Sequence, residues 1–298
     1  MSLRAELVRL GFRWLLKPKS GPGVALAQRR QHIAQFARWV PAPPADTSTR
    51  RGKLGGIETV HVATPASRPD RHILFLHGGG YVTGSPALYR HVTWRLAAAT
   101  AARVAAIDYR LAPEHPFPAA LDDAVAAWHG LLDEGSDPQR IAVLGDSAGG
   151  GLAVALTLRL RDERAPLPAA IVALSPWVDL ALTGRSLRDN AAADPMQNAA
   201  DLPGVTALYL AGADPRHPYA SPLYGDLAGL PPSLIQVGSD EILLDDAVRL
   251  AARMPSAELE IWPRMPHVWH VLVPLIPEAA RAIARIGDFL RQRAAWAG

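Results

Sequence analysis

Short apolar runs recur along the chain from residue 73 onward, at 73–76, 104–107, 141–144, 171–174, 234–237 and 259–262. Each is too short for a helix of ordinary length, and apart from Gln236 and Glu260 each is apolar throughout. They therefore predict strands buried on both faces. Alanine- and leucine-rich stretches lie between most of them, at 89–101, 119–132, 148–161 and 243–254, and predict helices. Strand, loop and helix in repeated succession build a mainly parallel sheet covered on both sides. Ile57, Thr59, Val60 and Val62 add one strand behind Gly55-Gly56, and 277–296 predicts a closing helix.

Two regions depart from this rhythm. Leu3, Leu7, Leu10 and Trp14 share one helical face, with Pro18 and Gly21-Pro22-Gly23 ending the helix. A second helix is expected over 24–40, stopped by Pro41-Ala42-Pro43-Pro44. An apolar stripe of this kind predicts a helix docked by that face, with its arginines in solvent. The less common alternative is a helix lying on a membrane surface. The interval 181–230 is rich in Asp, Pro, Gly and Asn and shows no strand, the pattern of an insertion over a site. The expected organisation is thus an α/β catalytic domain over 46–298, with 1–45 and 181–230 forming two segments of a helical cap.

Charge refines this picture. The net charge is only +3, so nucleic acid is not an expected partner, but residues 1–51 carry ten Lys/Arg against Glu6 and Asp46. With no cysteine, neither a disulfide framework nor a thiolate zinc site can form. No stretch is long and apolar enough for stable membrane insertion, and Arg9 and Arg13 interrupt the apolar run at the N-terminus. A cytoplasmic location is expected.

The chemistry concentrates at strand ends, where open α/β sheets bind ligands. Gly145-Asp146-Ser147-Ala148-Gly149-Gly150 follows the run 141–144 and opens a helix. It fits the sharp turn that exposes a nucleophilic serine, Ser147. A G-x-S-x-G alone arises by chance in roughly one chain in ten of this glycine content. His77-Gly78-Gly79-Gly80, after the run 73–76, makes chance a poor explanation. Its backbone N–H groups suit an oxyanion hole, with Gly79 and Gly80 preferred, Gly78 a further donor, and Ala148 completing the set at the helix N-terminus. His77 itself is expected to order the loop. A phosphate cradle is the competing use of such glycines, but no Gly-Lys-Ser/Thr follows either loop.

A serine hydroxyl needs a base, and the base an orienting carboxylate, in the chain order Ser, acid, His. Asp240 stands just beyond the run 234–237 and is the expected acid, with Glu241, Asp245 and Asp246 as rivals nearby. As a helix N-cap Asp240 would have a merely structural use. His267 lies after the run 259–262, in Met265-Pro266-His267, and is preferred as base over His270. No His/Glu pair has metalloprotease spacing, so no metal or other cofactor is expected.

These motifs together resemble the hormone-sensitive-lipase family of α/β-hydrolases, which includes many bacterial carboxylesterases. Tyr109-Arg110-Leu111-Ala112-Pro113-Glu114-His115-Pro116-Phe117-Pro118-Ala119-Ala120 is similar to the family's segment after its fourth strand. The resemblance covers roughly residues 55–298. It implies an eight-stranded α/β-hydrolase sheet and an enzyme that hydrolyses short-to-medium acyl carboxylic esters or lactones through an acyl-enzyme. It also implies Ser147, Asp240 and His267 as the triad, no cofactor, and a homodimer as a common assembly. Tyr81, Tyr209 and Leu210 are weaker candidates for the substrate pocket. Amide hydrolysis and deacetylation would use the same machinery. The plant gibberellin receptors, which resemble this family, have lost the histidine, so His267 argues against a pure binding protein.

Overall fold

The computed structural model describes residues 1–17, 21, 23–294 and 296. Eight strands form one sheet: β1 (Ser48–Leu54), β2 (Ile57–Ala63), β3 (His72–Leu76), β4 (Arg103–Ile107), β5 (Ile141–Asp146), β6 (Ala170–Leu174), β7 (Ser233–Gly238) and β8 (Ala257–Trp262). Their order is β1-β2-β4-β3-β5-β6-β7-β8. β2 runs antiparallel to β1 and β4, and the strands from β4 through β8 are parallel.

The runs of β3 to β6 are apolar throughout because both faces are covered, whereas β7 buries Gln236 and β8, expected to be buried, is a half-exposed edge strand carrying Glu258 and Glu260. On one side Leu74, Leu76, Val143, Ile171 and Val237 pack under α4 (Ala119–Asp133), α5 (Ala148–Asp162) and α8 (Leu244–Arg253). On the other, Ile73, Phe75, Leu144, Val172 and Leu234 pack under α3 (Arg90–Thr100) and α9 (Pro277–Arg293). Successive residues of one strand thus belong to opposite layers, the period-2 rule of a pleated sheet. All the predicted core strands and helices are present within a few residues. β1 is an addition: its Arg50, Arg51 and Lys53 lie on an exposed edge, where charge blocks pairing with another chain.

The N-terminal helices are α1 (Leu3–Gly11), continued by a wide turn over Phe12–Leu16, and α2 (Leu26–Trp39). Pro18 and Pro22, expected to end the first helix, lie outside the described residues. The docking face of α1 is the reverse of the one expected. Ala5 is buried, and Val8 and Phe12 pack with it on Met265, Trp269, Ile276 and Ala279, while Leu3, Leu7 and Trp14 are exposed. The small Ala5 lets the helix approach its support closely, which the leucine side does not allow. Ser2 caps α1 and is anchored in turn on Glu278 at the start of α9, Oγ to Oε2 at 2.9 Å.

The interval 181–230 holds no strand, as expected. It contributes α6 (Ser186–Asp189) and α7 (Leu202–Leu210). Leu202, Val205, Thr206 and Tyr209 form the buried face of α7. Arg29 of α2 pairs with Asp201 at the start of α7, joining the N-terminal region to this interval. Among the described residues no helix is long and apolar enough to cross a membrane.

Candidate active site

Ser147 occupies the single residue between β5 and α5 and holds a positive φ of 53°. An L residue adopts that conformation only when its surroundings impose it. Here its N–H donates to the Leu174 carbonyl at 2.8 Å, and its carbonyl accepts from Trp177 at 3.0 Å and Gly151 at 3.1 Å. The turn also needs its glycines: a Cβ on Gly149 would run into the Leu76 carbonyl. The outcome is a hydroxyl held at the carboxyl end of the central strand.

His267 Nε2 lies 2.9 Å from Ser147 Oγ, and His267 Nδ1 lies 2.9 Å from Glu241 Oε2. The carboxylate on the imidazole is therefore Glu241, and the expectation for Asp240 is corrected. After Gly238 the chain turns, with the Glu241 N–H on the Gly238 carbonyl at 3.3 Å. That turn sends Asp240 to the rim, where it accepts from Ser239 Oγ at 3.0 Å and lies 3.7 Å from Arg9. Glu241 points inward, and its extra methylene makes up for standing one residue further from the strand end. Its Oε1 accepts from the Gly238 N–H at 2.6 Å and from Ser175 Oγ at 2.7 Å.

Electrostatics follow from this burial. Loss of water pushes the Glu241 carboxyl up, and the His267 hydrogen bond and charge pull it back part of the way. For His267 burial favours the neutral ring, but the hydrogen bond and charge of Glu241, helped by Asp194 and Asp146, outweigh it and raise the pKa. With Glu241 ionised, Nδ1–H donates to it and Nε2 is left to accept the serine proton. Motif reading missed Ser175 and Asp194. Ser175 Oγ also accepts from the Val268 N–H at 3.1 Å, so it joins the acid to the loop carrying the base. Asp194 is buried and accepts from the Ile242 N–H at 3.0 Å.

The glycine loop divides its N–H groups. Gly78 donates to Asp146 Oδ1 at 2.9 Å, and Tyr89 donates its hydroxyl to Asp146 Oδ2 at 2.8 Å. The Gly78 N–H is thus occupied, which corrects its expected place in the oxyanion hole. Gly79 and Gly80 have φ of 127° and 64°, and neither they nor Ala148 donates an N–H to any described residue. His77 stacks on Tyr109 with ring centroids 4.2 Å apart, and its Nδ1–H donates to the Gly78 carbonyl at 2.9 Å. Burial drives its pKa down to about 4, so it stays neutral and orders the loop. Tyr109 donates its hydroxyl to the His77 carbonyl at 2.6 Å, bracing the same loop from the segment after β4.

A family model described as alpha/beta hydrolase fold matches residues 73–271. An acetyl-hydrolase of Streptomyces hygroscopicus is 49% identical over 253 residues, covering 84% of this chain and 83% of that protein. A putative acetyl-hydrolase, LipR, of Mycobacterium tuberculosis is 35% identical and covers 98% of this chain and 95% of its own. A crystal structure of an esterase from the bacterial hormone-sensitive lipase family superposes with a TM-score of 0.93 at 44% identity, covering 99% of both chains. The chain belongs to the hormone-sensitive-lipase type of α/β-hydrolases. It is a carboxylic ester hydrolase.

In this hydrolase the remaining histidine of the base loop, His270, is buried against Gln236 Oε1 at 2.8 Å, and burial lowers its pKa to about 3. It faces away from Ser147, as expected. The three pocket candidates lie in two places. Tyr81 and Tyr209 are buried and stacked on one another with centroids 3.8 Å apart. Leu210 lines a cavity of about 550 Å³ between Leu180–Leu182 and α7, which Ser147 does not reach. Val205 of α7, which sequence reasoning passed over, lies against the oxyanion loop. A Cβ built on Gly80 would come within 2.9 Å of its Cγ1.

Proposed function

We propose that the protein hydrolyses short-to-medium acyl carboxylic esters, and lactones, through a covalent acyl-enzyme on Ser147. The observation that carries this reading is the unbroken chain Ser147 Oγ, His267 Nε2, His267 Nδ1, Glu241 Oε2, with both links at 2.9 Å. Ser147 attacks the ester carbonyl as His267 takes its proton, and Glu241 holds the ring and stabilises the imidazolium. Charge building on the carbonyl oxygen is met by the N–H groups of Gly79, Gly80 and Ala148. His267 then protonates the leaving alcohol, and afterwards activates the water that releases the acid.

Residues 1–45 and 181–230 are taken as the two halves of a cap over this centre, within an α/β domain spanning 46–298. The contact of Val205 with Gly80 supports it, as does the Arg29–Asp201 pair that ties the halves together. A cap helix so close to the oxyanion loop favours small acyl groups, in keeping with the names of the acetyl-hydrolase of Streptomyces hygroscopicus and the putative acetyl-hydrolase LipR. The test is a series of p-nitrophenyl esters of graded acyl length, with γ- and δ-lactones alongside, each run against Ser147→Ala. Turnover falling with acyl length and abolished in Ser147→Ala is the expected result. Equal rates in wild type and variant would overturn the serine mechanism, and a preference for long chains would overturn the substrate class.

A further inference from the structure

α1 carries two apolar faces, and only one is used. At about 100° per residue Ala5, Val8 and Phe12 fall on one side of the helix, and Leu3, Leu7, Leu10 and Trp14 on the other. The first set is fixed to the body of the protein. The second stands in solvent, with Leu3 86%, Leu7 69% and Trp14 74% exposed. Soluble proteins scatter single exposed leucines, but a stripe along a helix already docked by its opposite face marks an interaction surface.

The charge around the stripe selects its occupant. Arg4 and Arg13 are exposed beside it; Arg13 donates to the Ala192 carbonyl at 3.0 Å, and neither pairs with a carboxylate among the described residues. The one acid of α1, Glu6, is consumed by Arg9 at 3.0 Å and Arg264 at 3.2 Å. A second copy would set arginines against arginines, with no unpaired carboxylate on α1 to meet them. An apolar strip flanked by uncompensated guanidinium groups matches a membrane interface bearing anionic headgroups, into whose acyl boundary leucine and tryptophan settle. We propose that the outer face of α1 docks the enzyme reversibly on anionic lipid surfaces. The docked helix lies in the interface plane and does not span the bilayer.

The test is co-sedimentation of the full chain with phosphatidylcholine vesicles, with and without roughly a quarter phosphatidylglycerol. Binding to the anionic vesicles alone, weakened by high salt, is expected. Leu3→Gln/Leu7→Gln/Trp14→Gln is expected to lower the bound fraction about tenfold or more while p-nitrophenyl butyrate turnover stays at the wild-type level. Arg4→Glu, which leaves the stripe intact, should weaken binding at low salt. No binding to anionic vesicles, or wild-type binding by the triple variant, overturns the proposal. So does light scattering that shows a wild-type dimer dissociated by the triple substitution, because a second copy then occupies the face.

Discussion

Glu241 and Asp240 are neighbours in the chain but have different surroundings, and substituting each in turn tests the triad directly. Glu241→Gln keeps the shape of the side chain and removes its charge. The Gln carbonyl can still accept from Ser175 and Gly238, so the amide faces Nδ1 and the imidazole is pushed to the wrong tautomer. In Ser-His-acid hydrolases that change costs about 10⁴ in kcat, or about 5 kcal/mol of transition-state stabilisation. Asp240 touches Ser239 Oγ and sits 3.7 Å from Arg9, with nothing linking it to His267. A partly exposed ion pair of that length is worth about 0–1 kcal/mol, so Asp240→Asn should leave kcat within about fivefold of wild type. Steady-state hydrolysis of p-nitrophenyl butyrate by both variants, with thermal melts to confirm folding, gives the comparison. Equal losses, or a larger loss in Asp240→Asn, would refute the assignment of the acid.

Three further outcomes follow from the same geometry. Because Glu241 raises the His267 pKa and the base works only when neutral, kcat/KM should fall as pH drops through a value above the ordinary histidine pKa of about 6.5. In Glu241→Gln burial is opposed only by the charges of Asp194 and Asp146, so the residual limb should move to lower pH. Asp146→Ala takes the acceptor of the Tyr89 hydroxyl and leaves the Gly78 N–H only its longer bond to that hydroxyl at 3.2 Å, at about 1–3 kcal/mol for a buried group left unpaired. Chemical denaturation should show that loss along with a reduced kcat, whereas Tyr89→Phe, which spares the shorter bond from Gly78 to Asp146, should cost less. Finally, Arg29→Ala and Asp201→Ala should show a coupling of about 1 kcal/mol in a double-mutant cycle on thermal stability; strict additivity would mean that the pair does not hold α2 to α7.

The central sheet was legible because strands buried on both faces must be apolar throughout, and loops after them must carry the chemistry. Strand β1 was not, since Arg50, Arg51 and Lys53 follow the demands of an edge. Helix α7 was hidden by Pro203 and Gly204, both in its first turn, where neither breaks it. Ser147 and His267 were readable because each stands at a strand end in a distinctive motif. The acid stands one residue beyond the expected one because distance from the strand end is legible in the sequence, whereas the direction of the turn and the reach of the side chain are not. Gly78 was miscounted for a related reason, since Asp146, the partner that takes its N–H, lies far off in the chain. The leucine stripe of α1 was read as a docking face because periodicity shows that a helix has a side without showing which side is inward.

Asp146 has one more consequence. It is the covalent neighbour of Ser147, and it holds the Gly78 N–H at the root of the loop that presents Gly79 and Gly80. The attacking oxygen and the groups that receive the charge are therefore surveyed from a single fixed point. A drift of α5 or a breathing motion of the sheet carries both together, so their spacing survives displacements that would misalign two independent loops.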